Sequence, residues 1–340
     1  HVLNNCFFKA IDYDFRIELY GSSLRNIPEI ESADIIHIHW ASEFIHFKEL
    51  KSLSNKKKIV WTLHDMWLFT GGCFYDQNCN GYTKGCMNCP AFSWSKARQY
   101  QISKRYEKKI EVINNSITAV VGCSKWITEC GLSSRLSERV MFKNIPNPID
   151  VSVFVDKHRK MARKKFNFDS EHIYVLVGAM SPTDERKGYR YFKEVTEILD
   201  QDKYVAVLYG NTNGKKINLG IPTVEMGPIH DRDKLIDLYN AVDVFVAPSV
   251  QENLANTVME SLACGTPVVA FNIGGMPDMI TSFSNGYLSK PFDIFDMKFG
   301  IEECARHYDY RVAARNSVVS RFSYDKLIGS YIELYQDVIK

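Results

Sequence analysis

No run of eighteen or more apolar residues occurs in this 340-residue chain, so the sequence holds no candidate membrane-spanning helix. No stretch of it reads as a secretory signal. Net charge is only +2, which argues against a dedicated nucleic-acid binder. What is present is ordinary: 45% hydrophobic and 24% charged residues, with length enough for two domains and ample core. Nine cysteines stand in the chain, several in apolar contexts such as Cys123, Cys264 and Cys304. They read as reduced thiols, so a cytoplasmic protein is expected.

The small net charge is unevenly spread. The part before Pro146 has a modest basic excess, held largely by Lys56-Lys57-Lys58 and the segment Lys96 to Lys109, and the rest is mildly acidic. A basic face of that kind could rest on the inner surface of an anionic membrane. A solvated helix face explains it equally well. The chain opens at His1 and enters at once into what reads as mid-domain sequence, so an N-terminal truncation is expected.

Strands and helices alternate along most of the chain. DFRIELYG reads as a strand, ADIIHIHW (33–40) as a buried strand, and KKKIVWTLHD as the next. A short helix spans Phe44 to Leu53, and residues 66–95 form a long loop. A basic helix follows from Ser95 to Asn114, then strand SITAVVGCS, with Ser124 capping a helix from Lys125. The two prolines of NIPNPID stop both helix and central strand and mark the domain boundary. A second series follows: strands HIYVLVGAM, KYVAVLYGN and IPTVEMGPI, with helices at 188–200 and 231–241. GYLS, a helix near 296–307 and an amphipathic helix from Tyr324 to Ile339 end the chain. The domains are expected at 1–147 and 148–322, with 323–340 a helix packing back across them.

The stretch Asp243–Asp278 is the most informative. DVFVAPS reads as a buried strand, ENLANTVMESLAC as a helix stopped by Gly265, and TPVVAF as a second strand. That is a βαβ unit of a parallel sheet, whose ligands sit beyond the carboxyl ends of the strands. The helix start suits a phosphate. Glu252 before the helix and Glu260 eight positions later fit a ligand that also has hydroxyls to be held. Spacing alone favours a first-turn glutamate and a solvated helix residue.

Other candidates are scattered. His37 and His39 alternate along one strand and point the same way. His64 ends the next strand and is followed by Asp65, where an imidazole could face a cleft. In the turn DERKG, Lys187 beside a glycine could reach a phosphate, although an exposed charged turn is commoner. Cys73, Cys79, Cys86 and Cys89 are spaced C-x5-C-x6-C-x2-C within one loop. A structural zinc ion would give a loop of little core a reason to fold, although the first gap is longer than usual. A redox pair or merely clustered thiols are the alternatives.

Together these motifs resemble the retaining glycosyltransferases of family 4, in a bacterial subgroup that makes exopolysaccharides, O-antigens or capsules. The matching segments are E-x7-E within PS, the helix, CGTPVVA and GG, with ADIIHIHW, WTLHDMW-FTGGC, the later C-x2-CP, NPID and RKG in order. The resemblance implies an α/β chain of GT-B fold, two facing Rossmann-like domains with a deep cleft between them. It implies transfer of a sugar, with retention, from a UDP- or GDP-sugar to a hydroxyl of a glycan or lipid-linked acceptor. No cofactor is required for that chemistry. By the resemblance Glu252 holds donor-sugar hydroxyls, Glu260 the ribose, and Lys187 with Arg186 the diphosphate. Backbone amides of Asn253, Leu254, Ala255 and Asn256 would join them, and base contacts would fall at Gly210 and Gly227. His64 would lie against the reacting sugar, with His39, Trp40, Asp65 and Trp67 on the acceptor side.

Two departures stand out. Where the family often has an arginine, this chain reads Gly178-Ala179-Met180, so Arg186 would substitute. The family's opening strand and glycine-rich loop are also absent from the sequence. They leave a catalytically impaired nucleotide-sugar binder or scaffold as the runner-up, with an epimerase or phosphorylase on the same fold a further alternative. No lysine motif for a pyridoxal cofactor is visible, and E-x7-E disfavours both of those enzymes.

Overall fold

The computed structural model describes residues 24, 27–40, 44, 45, 47–138, 140–181, 183–212, 214 and 217–340. The strand expected at DFRIELYG lies outside them. The chain divides into two compact units, His1–Pro146 with Ile328–Lys340, and Asn147–Leu327.

Among the described residues of the first unit, four strands pair in the order β1-β2-β3-β4, all parallel: Ile35–His39, Lys58–Leu63, Ala119–Gly122 and Met141–Asn144. KIVWTL of β2 is apolar almost throughout because all but its first residue are buried. The Lys96–Asn114 helix starts where expected, its Ser95 hydroxyl accepting the Arg98 N–H. Ser124 caps the Lys125–Leu132 helix in the same way. The short helix after β1 is Phe47–Ser54, a turn later than the sequence suggests. Ile59, Leu63, Leu68, Phe69, Ile102 and Tyr106 make the core.

Among the described residues of the second unit, six parallel strands pair in the order β10-β9-β8-β5-β6-β7. They are β5 Ile173–Gly178, β6 Tyr204–Tyr209, β7 Thr223–Gly227, β8 Val244–Ala247, β9 Val268–Phe271 and β10 Gly286–Ser289. From β5 the chain winds outward through β6 and β7, then returns to place β8 on the other side of β5. β5 and β8 therefore flank the point where strand order reverses. Their carboxyl ends diverge there, which opens the crevice that such sheets use for ligands. Val175, Val177, Val244, Val246, Val269 and Phe271 fill the core beneath it.

The sequence reading missed one long helix, Asp309–Phe322. Its apolar residues are interrupted by Arg311 and Arg315, which are spent on backbone carbonyls: Arg311 donates to Val242 and Asn240, Arg315 to Ala263 and Val151. Buried arginine broke the periodic pattern.

Candidate active site

Helix Asn256–Ala263 begins after Glu252, not at it. Glu252 sits in the loop that leaves β8, and Glu260 sits in the helix. Glu252 is 6% exposed and stands outside the helix, which overturns its reading as a first-turn glutamate. Its Oε2 accepts from Lys187 Nζ at 2.6 Å and lies 3.4 Å from Arg186 Nη1. Burial alone would raise its pKa, but the charges of Lys187 and Arg186 hold it below the ordinary carboxylate value.

The turn that carries those cations is locally determined. Asp184 accepts the Arg186 N–H and opens a short 3-10 turn, Glu185–Lys187. Gly188 closes it at φ +73. A side chain at Gly188 would run into the Pro248 carbonyl oxygen, and one at Gly274, at φ +51, into that of Glu252. The RKG turn and the Gly274-Gly275 turn are thus pressed against the two ends of the loop that presents Glu252. Arg186 also donates to Gln251 O at 3.2 Å, and Val250 N–H to Arg186 O at 2.9 Å.

A small pocket opens here, at the carboxyl ends of β5 and β8. Gly178, Ala179, Lys187, Pro248, Ser249 and Glu252 are among its lining residues. Asn253, Leu254 and Ala255 are buried beside it. Asn256 is exposed at the helix start. Gly210 and Gly227 are brought together, the first donating its N–H to the second's carbonyl at 2.9 Å. Glu260 accepts from the Tyr239 hydroxyl at 3.0 Å, and burial pushes its pKa up. Tyr239 and its partner Tyr209 were not legible as site residues. They read as core, and only a hydroxyl buried beside a motif glutamate hints otherwise.

The first unit has a second polar cluster, at the carboxyl ends of β1 and β2. His39 Nδ1 lies 3.0 Å from His64 Nε2, and the His37 and His39 rings are 4.3 Å apart. His37 is held at both nitrogens, by Tyr335 Oη at 2.7 Å and Thr62 Oγ1 at 2.8 Å. Burial, then repulsion from neighbouring imidazoles, pushes His37 and His64 down to about 4. Burial also lowers His39. All three are neutral at pH 7.

The acceptor-side residues separate. Trp40 is 57% exposed next to His39. Asp65 accepts the Trp67 N–H at 2.8 Å and shapes the turn after β2. Trp67 belongs to the core: it is 3% exposed and stacks on Phe47 and Trp61, so it is withdrawn from the acceptor set. Lys109 likewise leaves the basic face. It is buried, with Nζ donating to Trp67 O and lying 4.7 Å from the centre of the Trp67 ring.

The four cysteines of the loop line one pocket, with Cys73, Cys86 and Cys89 buried and Cys79 exposed. Gly71 N–H donates to Cys86 Sγ at 3.1 Å and Gly81 N–H to Cys79 Sγ at 3.4 Å. Among the described residues no three His, Cys, Asp or Glu side chains are grouped so as to hold a metal ion. The thiols share a pocket without being grouped as a coordination shell. The premise that the loop lacks core is also corrected: Phe74, Tyr82, Ala91 and Phe92 are buried in it. Asp76 organises its turn by accepting from Asn78 and Asn80 N–H.

With that geometry in hand, comparison with known proteins is informative. The family described as glycosyl transferases group 1 matches residues 171–306, a span that takes in all six described strands of the second unit's sheet. A glycosyltransferase of Methanocaldococcus jannaschii is 22% identical over 358 residues, covering 99% of this chain and 81% of the relative. WcaC of Escherichia coli, named as a colanic acid biosynthesis glycosyl transferase, is 22% identical over 343 residues, covering 94% and 80%. Among solved structures, Anabaena HepE in complex with UDP-glucose superposes with a TM-score of 0.66 at 15% identity, covering 91% of this chain and 81% of HepE. Residues 171–306 thus match the group 1 glycosyltransferases, and the likeness to solved structures shows a GT-B fold.

Proposed function

We propose that this chain transfers a sugar from a nucleoside-diphosphate donor to a hydroxyl of a glycan or lipid-linked acceptor, with retention, in cell-surface polysaccharide assembly. One observation carries the donor half: the crevice where strand order reverses is lined by a buried carboxylate and a lysine held 2.6 Å apart. A sugar diphosphate offers what that pair needs. Its phosphates attract Lys187 and Arg186, and its sugar hydroxyls donate to Glu252. On this reading Lys187 is shared between Glu252 and the diphosphate. Two cations beside the leaving group then stabilise its developing charge, with positioning and electrostatics doing most of the catalysis and no metal required. HepE, whose complex holds UDP-glucose, supports a nucleotide-sugar donor. WcaC, named for colanic acid biosynthesis, supports the polysaccharide setting.

The acceptor is assigned to the first unit, whose neutral His64 and His39 can exchange hydrogen bonds with hydroxyls without attracting anions. Among the described residues no helix is long and apolar enough to cross a membrane. A peripheral seat at the inner membrane face draws support from Trp94 and Tyr100, 61% and 65% exposed near the start of the basic helix. Co-sedimentation with anionic and neutral vesicles tests that seat, and equal recovery with both would remove it.

The functional test is turnover of a panel of UDP- and GDP-sugars by the protein and its Glu252→Ala and His64→Ala variants, with circular dichroism as the fold control. Transfer lost in Glu252→Ala and lowered about tenfold in His64→Ala supports the assignment. Transfer unchanged in Glu252→Ala would overturn the site.

A further inference from the structure

We propose that Tyr239, backed by Tyr209, is a positioning residue that sets the Glu260 carboxylate for recognition of a ribose. The inference rests on the donor reading above and adds a specificity to it.

Tyr239 is wholly buried in the Arg232–Ala241 helix, and its hydroxyl donates to Glu260 Oε2 at 3.0 Å. The Tyr209 hydroxyl, at the end of β6, lies 2.9 Å from that of Tyr239. A phenol carries one hydrogen. Since that of Tyr239 is given to the carboxylate, Tyr209 must donate to Tyr239. The order of donation is therefore fixed: Tyr209 to Tyr239 to Glu260. Each donation polarises the next hydroxyl, so the bond that reaches the carboxylate is stronger than an isolated one.

The relay is tied to the pocket through glycine. A side chain on Gly178, a residue that lines the pocket, would collide with the Tyr209 ring. The position where the family often has an arginine is thus near the place where this chain seats an aromatic ring. The ring packs edge-on to Tyr239, with centroids 6.3 Å apart. Both tyrosines are buried.

The consequence lies in the geometry of Glu260. A carboxylate on a helix has rotational freedom about its last bond, and a freely turning carboxylate accepts from any hydroxyl nearby. One donor fixed on Oε2 selects a single orientation. The other acceptor positions are then presented in a fixed plane, suited to the two neighbouring hydroxyls of a ribose. Without Tyr239 the carboxylate would still be present but would bind a ribose and a deoxyribose more alike.

The experiment is calorimetric titration of the full chain with UDP, GDP and ADP and with their 2′-deoxy forms. The proteins are the wild type, Tyr239→Phe, Tyr209→Phe and Glu260→Gln. The wild type is expected to favour the ribonucleotide by about tenfold or more, the worth of a hydrogen bond to a charged group. Tyr239→Phe narrows that ratio to about threefold or less while deoxynucleotide affinity stays within about twofold, because one charge-assisted bond is lost. Tyr209→Phe narrows it less. A general loss of structure would weaken both nucleotide forms together. If Tyr239→Phe and Tyr209→Phe both keep the wild-type ratio, the relay has no such role and the proposal falls while the donor reading stands. Should Tyr239→Phe not fold, Tyr209→Phe decides alone, and an unchanged ratio there overturns the proposal. A wild type that binds nucleotides but does not prefer ribose removes Glu260 from that role, and the proposal with it. A wild type that binds none of them overturns the donor reading as well.

Discussion

The carboxyl ends of two parallel sheets carry opposite electrostatic designs in this chain. At β5 and β8 a glutamate 6% exposed is ionised against Lys187 and Arg186. At β1 and β2 three histidines crowd together and stay neutral, with His37 and His64 pushed down to about 4. The first arrangement keeps formal charge in a low-dielectric place, which is costly unless a ligand or partner rewards it. The second avoids charge altogether. A diphosphate suits the former and sugar hydroxyls suit the latter. On the proposed reading, one scaffold type supports two kinds of recognition, decided by the residues at its strand ends.

The comparison can be broken at its charged end first. Glu252→Ala is expected to lower transfer by about 10²–10³-fold, the scale seen when a preorganised polar group is removed from a reacting centre. Rate measurements at saturating donor check it, and a fall of less than tenfold would move the chemistry elsewhere.

Stability offers the next contrast. Gly188→Ala and Gly274→Ala each put a side chain into backbone at a left-handed φ. A loss of roughly 2–4 kcal/mol is expected for each, seen as a drop in Tm of several degrees. Gly329, in the Tyr324–Ile339 helix, meets nothing within 4 Å. Gly329→Ala should instead gain up to about 1 kcal/mol from helix propensity. Equal effects at all three positions would show that the loop around Glu252 is not held by those close approaches.

His64→Ala sharpens the division of labour. It should cost transfer about tenfold, the lower range for a positioned polar group, and leave nucleotide affinity unchanged. A matching loss of nucleotide binding would erase the distinction between the two regions.

The pH response follows from the neutral histidines. Unfolded histidine binds its proton near 6.5, whereas folded His37 and His64 do so near 4. Between those values the unfolded chain holds more protons, so stability falls as pH drops from 6.5 to 4. Urea melts across that window check the slope, which His64→Gln should flatten. The smallest effect is expected from chelation: with EDTA present, transfer should continue unchanged, because on the proposed reading Lys187 and Arg186 supply the positive charge beside the diphosphate.

How much of this was legible follows from which forces act locally. The βαβ unit, the caps at Ser95 and Ser124 and the stop at Gly265 were readable, because each depends on a few neighbouring residues. The motif glutamates could be found, but their states could not. Glu252 and Lys187 are 65 positions apart, so only the fold shows their ion pair. Trp67 looked like a strand-end site residue, and Lys109 like part of a charged face. Each was placed by packing against the other, 42 positions away. Gly188 and Gly274 were visible as turn residues, whereas their second task, admitting the loop around Glu252, required the close approach itself. The Tyr209–Tyr239–Glu260 relay spans three elements and left no periodic mark.

The most direct measurement is calorimetric titration of UDP and GDP into the wild type, Lys187→Ala and His64→Ala, with folding checked by circular dichroism. The account predicts binding to the wild type, at least about tenfold weaker binding to Lys187→Ala through loss of a charge-assisted contact, and no change in His64→Ala. Equal affinity in the wild type and Lys187→Ala would contradict it.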